Sequence, residues 1–220
     1  MTDPMGAVEA AEECLRSGGV LVLPTETVYG VAALAADPEA VRELFVLKGR
    51  PADRRVAVLG ADLDQARLLA VVDDRATTLA TTCWPGPLTM VLPAVPGTEE
   101  ATVGVRCPDH ALVRAIAAAV GPIATTSANR SGDPTPVAAA AAAASLDVAP
   151  GSDLLVLDGG SCGGVPSTVV DLTVDPAIVL RAGPLAIDDL ESAGIRVEPA
   201  SAGSGPVSYT HLTLPTTPYV

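Results

Sequence analysis

An α/β fold built on a twisted, mixed sheet is what this sequence predicts, on three observations. Short apolar runs and amphipathic segments largely alternate from residue 6 to residue 146, the pattern of strands and helices layered on one another. After that LLVLDGG, STVVDLT and AIVLRAG follow with no helical segment between them. Short turns there force antiparallel neighbours, so the sheet is mixed and not all parallel. Finally, 49% of the 220 residues are hydrophobic but only 2% aromatic, so Val, Leu, Ile and Ala must fill the core, which suits helices packed closely on a sheet. That length supports one domain, read over residues 1–197.

Residues 6–17 carry a helical period stopped by Gly18-Gly19, and GVLVLPT at 19–25 is a buried strand ending at proline. ETVYGVAALAA after it reads as a loop. Asp37-Pro38-Glu39 opens a helix: a capping carboxylate, proline in the first turn, and an acid near the positive end of the dipole. VAVL at 56–59 is a strand, followed by acid-led helices near 62–70 and 73–82 and by strands LTMVLP at 88–93 and TVGVRCP at 102–108. An Asp109-capped helix runs to Val120, then strand PIATT at 122–126 and an alanine-rich helix over 136–146. From 198 to 220 no apolar period continues; VSYTHLTLP resembles translated vector read-through, and the segment reads as a flexible, non-native tail outside the fold.

Thirteen basic residues stand against 26 acidic ones, a formal net charge of −13. That balance repels a phosphate backbone and leaves room only for a local basic cleft. The cysteines Cys14, Cys83, Cys107 and Cys162 form no C-x-x-C pair, and only His110 and His211 accompany them, so the usual zinc and disulfide frameworks are excluded. No apolar run approaches the ~20 residues of a membrane span, and the acidic start MTDPMGAVEAAEEC lacks the basic end of a signal peptide. A cytoplasmic protein without membrane contact is expected.

Neither G-x-x-x-x-G-K-[ST] nor G-x-G-x-x-G occurs, so a P-loop or Rossmann site is not supported. Polar clusters instead end the predicted strands, where α/β folds gather their sites: PTETVYG (24–30), KGRP (48–51), TVGVR (102–106), TTSANRSGDPT (125–135), GGVPSTVVD (163–171) and LRAG (180–183). Lys48 is the only lysine of the chain; the other twelve cations are arginine. It falls at +7, +4 and +3 from Val41, Leu44 and Phe45, on the apolar stripe of its helix. Two readings stand: a lysine snorkelling outward from a last helical turn, and one directed inward with Arg50 to hold an anion. Thr125, Ser127 and Asn129 share one side if the backbone stays extended, although Ser, Asn and Asp-Pro also make turns. GGSCGGVPST reads as a turn rather than an anion loop. Taken singly, Thr25 and Glu26 read as the end of a strand and Thr102 and Arg106 as one face of another, paired across to an acid; Arg181 ends an apolar strand where a guanidinium needs an anionic partner.

Together these segments resemble the YrdC family over residues 6–185, most specifically in PTETVYG, KGRP, WPGPLT (84–89), VRCPDH (105–110), TSANRSG (126–132) and STVVD (167–171). The resemblance implies a twisted α/β sandwich with a large open cleft, in a short single-domain form. It implies synthesis of threonylcarbamoyl-AMP and pyrophosphate from L-threonine, bicarbonate and ATP, a nucleotidyl transfer that feeds the threonylcarbamoyladenosine modification of tRNA. Lys48, Arg50, Ser127 and Asn129 match the family's K-x-R and S-x-N signature and are the implied catalytic set. Threonine binding falls to Thr25, Arg106, Thr125 and Ser167, and ATP binding to Arg50, Thr102, Ser127, Thr135 and Arg181. Mg²⁺ is expected to arrive with ATP, with no permanently bound protein metal. Downstream partners are the proteins that transfer the group to tRNA, with a weak contact to double-stranded RNA. The chain departs from longer relatives at Arg54-Arg55-Val56, where they have Asn-Pro-Leu, and at Leu59, where they have histidine. A YrdC-like module that binds RNA or ribosome without adenylation is the alternative.

Overall fold

Apolar side chains on both faces of VLVL leave that strand no route to water, and it lies buried as β1 (Val20–Leu23) behind helix α1 (Pro4–Arg16). The computed structural model describes residues 4–49, 56–98, 100–130, 132–146, 148 and 154–200. Next come β2 (Gly30–Leu34), α2 (Pro38–Leu47), β3 (Ala57–Leu59), α3 (Leu63–Arg67), α4 (Asp74–Cys83), β4 (Leu88–Pro93) and β5 (Thr102–Arg106). They are followed by α5 (Ala111–Val120), β6 (Ile123–Ser127), α6 (Ala139–Ala144), β7 (Leu155–Val156), β8 (Thr168–Asp171), β9 (Ala177–Arg181), α7 (Ile187–Ser192) and β10 (Val197–Pro199).

Among the described residues the strands form one ten-stranded sheet in the order β10-β9-β8-β4-β5-β3-β6-β2-β1-β7. Pairs β3/β5, β4/β8, β1/β7 and β9/β10 are parallel and the rest antiparallel, so the sheet is mixed as expected. Alternation along the strands sends Leu21, Leu23, Ala32, Leu59 and Ile123 to one face, under Ala7, Ala11 and Leu15 of α1 and Val113, Ile116 and Ala117 of α5. Val22, Val31, Val58, Met90, Val105 and Ala124 face the other way, packed with Leu44 and Phe45 of α2, Leu79 of α4 and Leu190 of α7. The α1/α5 pair reaches only one end of its face. Across β3, β5, β4 and β8 that face carries Ala57, Gly104, Thr102, Thr89 and Val169, small side chains that floor an open cleft of about 450 Å³.

Helix α2 begins as its sequence predicts: Asp37 is the N-cap, its Oδ1 accepting from the backbone N–H of Glu39 at 3.0 Å and of Ala40 at 3.1 Å, with Pro38 in the first turn. Other expectations are corrected. The segment read as a loop holds β2, which pairs with β1 and β6. Glycine and alanine are poor strand formers, yet between β1 and β6 this strand is crowded, Gly30 lying under Thr125 and Ala32 and Ala33 fully buried. β8 and β9 are antiparallel neighbours, but β7 crosses to the far edge and runs parallel to β1. The N-cap of α5 is His110 without a side-chain cap bond, because Asp109 faces Arg114 Nη1 at 3.3 Å. α6 starts after Val137, whose carbonyl accepts the Cys162 N–H at 2.9 Å. α7 and β10 were not foreseen. β10 also moves the domain boundary past Val197, since Glu198 and Pro199 pair with β9; residues 201–220 lie outside the described residues.

Candidate active site

Strand ends and the turns after them deliver the polar side chains to the cleft. β6 points Thr125 and Ser127 into it, β5 points Thr102 and Arg106, and the 166–169 segment brings Ser167 beside Arg181 at the end of β9; Thr25, Thr89, Thr126 and Thr135 add to the polar lining. Asn129 departs from the expected alternation because β6 ends at Ser127. Its Nδ2 donates to Arg130 O at 2.9 Å and Asp133 O at 2.7 Å, so it closes the following turn instead of lining the cleft. Arg50, Arg54 and Arg55 lie outside the described residues. Leu59 lines the cleft as an apolar wall.

Lys48, at the C-cap of α2, is 1% exposed and is directed inward. Its Nζ donates to the backbone carbonyl of Ser127 and approaches Ser127 Oγ and Thr126 Oγ1, each at 3.3 Å. The same carbonyl accepts the N–H of Asn129 at 2.9 Å, so both halves of K-x-R/S-x-N that are described meet at Ser127. The outward, snorkelling reading is thereby excluded.

Arg106 is 6% exposed. Its Nε donates to Gly86 O at 3.1 Å, and its Nη2 donates to Thr27 Oγ1 at 3.0 Å and lies 2.6 Å from Glu26 Oε1. The acid expected opposite this strand face is therefore Glu26. Burial pushes the guanidinium pKa down and the Glu26 charge opposes that shift. On the other wall, Arg181 is exposed at the cleft edge; its Nε donates to Ser167 O and its Nη2 to Ser167 Oγ, both at 2.9 Å. Ser167 Oγ also meets Thr89 Oγ1 at 2.8 Å. Thr125 Oγ1 donates to Val31 O at 3.1 Å, and Gly30 lies so close that a Cβ there would sit 2.6 Å from that hydroxyl.

The glycine loop before Ser167 behaves as a turn. Its amides are spent on the 24–28 segment, Gly163 N donating to Glu26 O at 3.1 Å and Gly164 N to Thr27 O at 2.7 Å, and buried Tyr29 ties it down by donating to Gly160 O at 2.7 Å. Burial pushes the Cys107 thiol up to about 11, so it is protonated at neutral pH and is no nucleophile. Burial pushes His110 down, against a raising effect of Glu26. Among the described residues no group of three or more His, Cys, Asp or Glu could hold a metal ion. No helix among them is long and apolar enough to cross a membrane.

In the sequence Glu26 reads only as the end of a strand, and Thr27, Gly86 and Thr89 carry no assignment. Each sits inside a quoted motif, PTETVYG or WPGPLT, and the period-2 pair Thr25/Thr27 was the available signal.

Residues 13–183 match the Sua5_yciO_yrdC family model, described as telomere recombination. A threonylcarbamoyl-AMP synthase of Pyrococcus abyssi (strain GE5 / Orsay) is 40% identical over 207 residues, covering 89% of this chain and 60% of that protein. One of Bacillus subtilis (strain 168) is 40% identical over 202 residues, covering 86% and 56%. A putative threonylcarbamoyl-AMP synthase of Mycobacterium leprae (strain TN) is 36% identical, covering 88% and 90%. The chain thus spans 56–60% of the length of the first two. The crystal structure of P. abyssi Sua5 complexed with L-threonine superposes with a TM-score of 0.81 at 37% identity, covering 90% of this chain and 60% of that one. E. coli YciO gives 0.75 at 25% identity, covering 86% and 95%.

Proposed function

The chain belongs to the Sua5/YciO/YrdC family, and on that premise we propose that it is a threonylcarbamoyl-AMP synthase, making threonylcarbamoyl-AMP and pyrophosphate from L-threonine, bicarbonate and ATP. The observation that carries the reading is that Arg106, Arg181 and Ser127, which holds the buried Lys48 ammonium, line one cleft from different elements, with no carboxylate among the described lining residues.

Bicarbonate supplies CO₂ to the threonine amine, its hydroxide taking the amine proton as water, which leaves a carbamate. A carbamate oxygen then attacks the α-phosphorus of ATP, the Pα–O bond to pyrophosphate breaks, and pyrophosphate leaves. Both reactants are anions. Two unit charges ~4 Å apart interact by about 4 kcal/mol at an effective dielectric near 20, worth roughly three powers of ten in rate. The cations offset that repulsion. Arg106 holds the threonine carboxylate, with Thr25, Thr125 and Ser167 around the amino acid. Arg181, Thr102, Ser127 and Thr135, with Arg50, hold ATP, and the compact Lys48 ammonium supports the corner where phosphate charge develops. Asn129 contributes by fixing the turn after Ser127. The described lining residues offer hydroxyls and carbonyls but no carboxylate, so Mg²⁺ fits among them when it comes with ATP, its oxygens supplied by phosphate and water. Catalysis is positioning and electrostatics, with no covalent bond to the enzyme. The product, made in a cytoplasmic setting, goes to proteins that transfer the group to tRNA.

The test is threonine-dependent pyrophosphate release by the purified chain with ATP, bicarbonate and Mg²⁺. Release with serine or glycine equal to that with threonine overturns the substrate; no release with double-stranded RNA binding intact favours an RNA-binding module.

A further inference from the structure

We propose that Glu26 and Thr27 are positioning residues that, together with the Gly86 carbonyl, aim Arg106 at the carboxylate of the amino-acid substrate; the inference rests on the functional reading above and deepens it.

A guanidinium has five N–H donors, and burying it without partners is costly. Here Nε is spent on Gly86 O, and Nη2 on Thr27 Oγ1 and the Glu26 carboxylate. Nη1 has no partner among the described residues, and the side chain lines the cleft. The plane of the guanidinium is therefore fixed by three neighbours on its protein side, with the pair of hydrogens on Nη1 left for a ligand oxygen. Glu26 is suited to this role: its carboxylate oxygens are buried and accept no hydrogen bond from the described residues, so the 2.6 Å ion pair with Arg106 is what compensates its charge in the ligand-free cleft.

The hydroxyl protons on the protein side run in one direction. Thr25 Oγ1 donates to Val28 O at 2.6 Å. In its 2.9 Å contact with Thr27 Oγ1, Thr25 must therefore accept, and Thr27 is the donor. That leaves the lone pairs of Thr27 Oγ1 for Arg106 Nη2. The order is Arg106 to Thr27 to Thr25 to the Val28 carbonyl. Since the Thr25 proton is already committed, and its oxygen also accepts from Val28 N at 3.1 Å, Thr25 serves the amino acid by holding Thr27. The third anchor comes from WPGPLT. A Cβ on Gly86 would lie 2.3 Å from Cys83 O, so only glycine makes that turn, and the turn aims the Gly86 carbonyl at Nε. Two separate motifs thus converge on one guanidinium.

The experiment compares wild type with Glu26→Gln, Thr27→Val and Thr27→Ser, reading both steady-state kinetics and the ¹⁵N–¹H signal of Arg106 Nε, assigned by its loss in Arg106→Lys. Removing a hydrogen bond or ion pair to a charged group predicts a rise of about 10- to 100-fold in the KM for threonine in Glu26→Gln and Thr27→Val. The KM for ATP stays within about twofold, and the Nε signal shifts and broadens; Thr27→Ser keeps the hydroxyl and restores both readouts. A threonine KM that is unchanged or lower in both folded variants, with the Nε signal unmoved, overturns the inference. A general loss of folding would instead raise both KM values or lower the active fraction. Should the wild type release no pyrophosphate, the functional reading falls, while the positioning of Arg106 is decided by the Nε signal in the variants.

Discussion

At the scale of single residues, the chain's one lysine occupies a slot that a larger cation does not fit. Lys48 is fully enclosed, with its ammonium against Ser127 and Thr126. Lys48→Arg puts a planar, wider head group where a compact one is held, and overpacking of this kind costs about 1–3 kcal/mol. We expect kcat to fall at least about tenfold, a loss of ~1.4 kcal/mol in transition-state stabilisation, with the chain still folded by circular dichroism. Wild-type kcat in Lys48→Arg would show that any cation serves. The 3.6-residue period placed Lys48 on the face shared by Val41, Leu44 and Phe45 but left its head group free to snorkel outward; its enclosure against Ser127 and Thr126 decides for the inward direction. The partner of Arg106 was legible only as some acid, since Glu26 is 80 residues away in sequence, and nothing in PTETVYG distinguishes a buried carboxylate from one ending a strand in solvent.

Among the elements, α2 is the one that most directly positions the site, since it carries Lys48 at its C-cap and is started by Asp37 at its N-cap. Asp37→Ala removes two hydrogen bonds to otherwise unpaired amides and should cost about 1 kcal/mol, lowering Tm by about 2–4 °C for a chain of this size. The KM for threonine should stay unchanged, since the cap lies at the end of α2 away from Lys48; differential scanning calorimetry and initial rates check the two halves. Helices with acid caps and strands rich in Val and Leu were readable in order, because capping and periodicity are local. β2 was not, because its Gly and Ala are chosen by the crowding of β1 and β6 and of Thr125 over Gly30, a condition that exists only once the sheet is assembled. Likewise the run at 154–160 reads as a strand locally, but its choice of β1 over β8 is made by the glycine loop that Tyr29 and the 24–28 turn hold in place.

For the whole molecule, β10 closes one edge of the sheet, and Val197 is buried beside Ile195 and Leu190. Removing residues 201–220 should leave Tm and activity unchanged, whereas removing 197–220 loses the burial of one valine and a paired strand, about 2 kcal/mol and ~4–8 °C in Tm; equal melting of the two truncations would return the boundary to Val197. Stability should also respond to alkali. Cys107 is held protonated by burial up to about 11 in the fold, while an unfolded thiol ionises near 8.5. Its contribution is fully present below the unfolded value and is lost as pH rises through about 11, because the unfolded chain then binds fewer protons. Urea midpoints of wild type should fall over that window by more than those of Cys107→Ala, in which this group is missing. What could be read without coordinates was the α/β class, the mixed sheet, the helix starts, the apolar stripe that Lys48 shares and the ordered motifs, since each is a matter of local period, capping or residue spacing. What required the folded chain was the edge position of β7, the strand status of 30–34, and the pinning of Arg106 by Glu26, Thr27 and Gly86. These join segments far apart in sequence, and their geometry is set by which strands become neighbours, information that no short stretch carries.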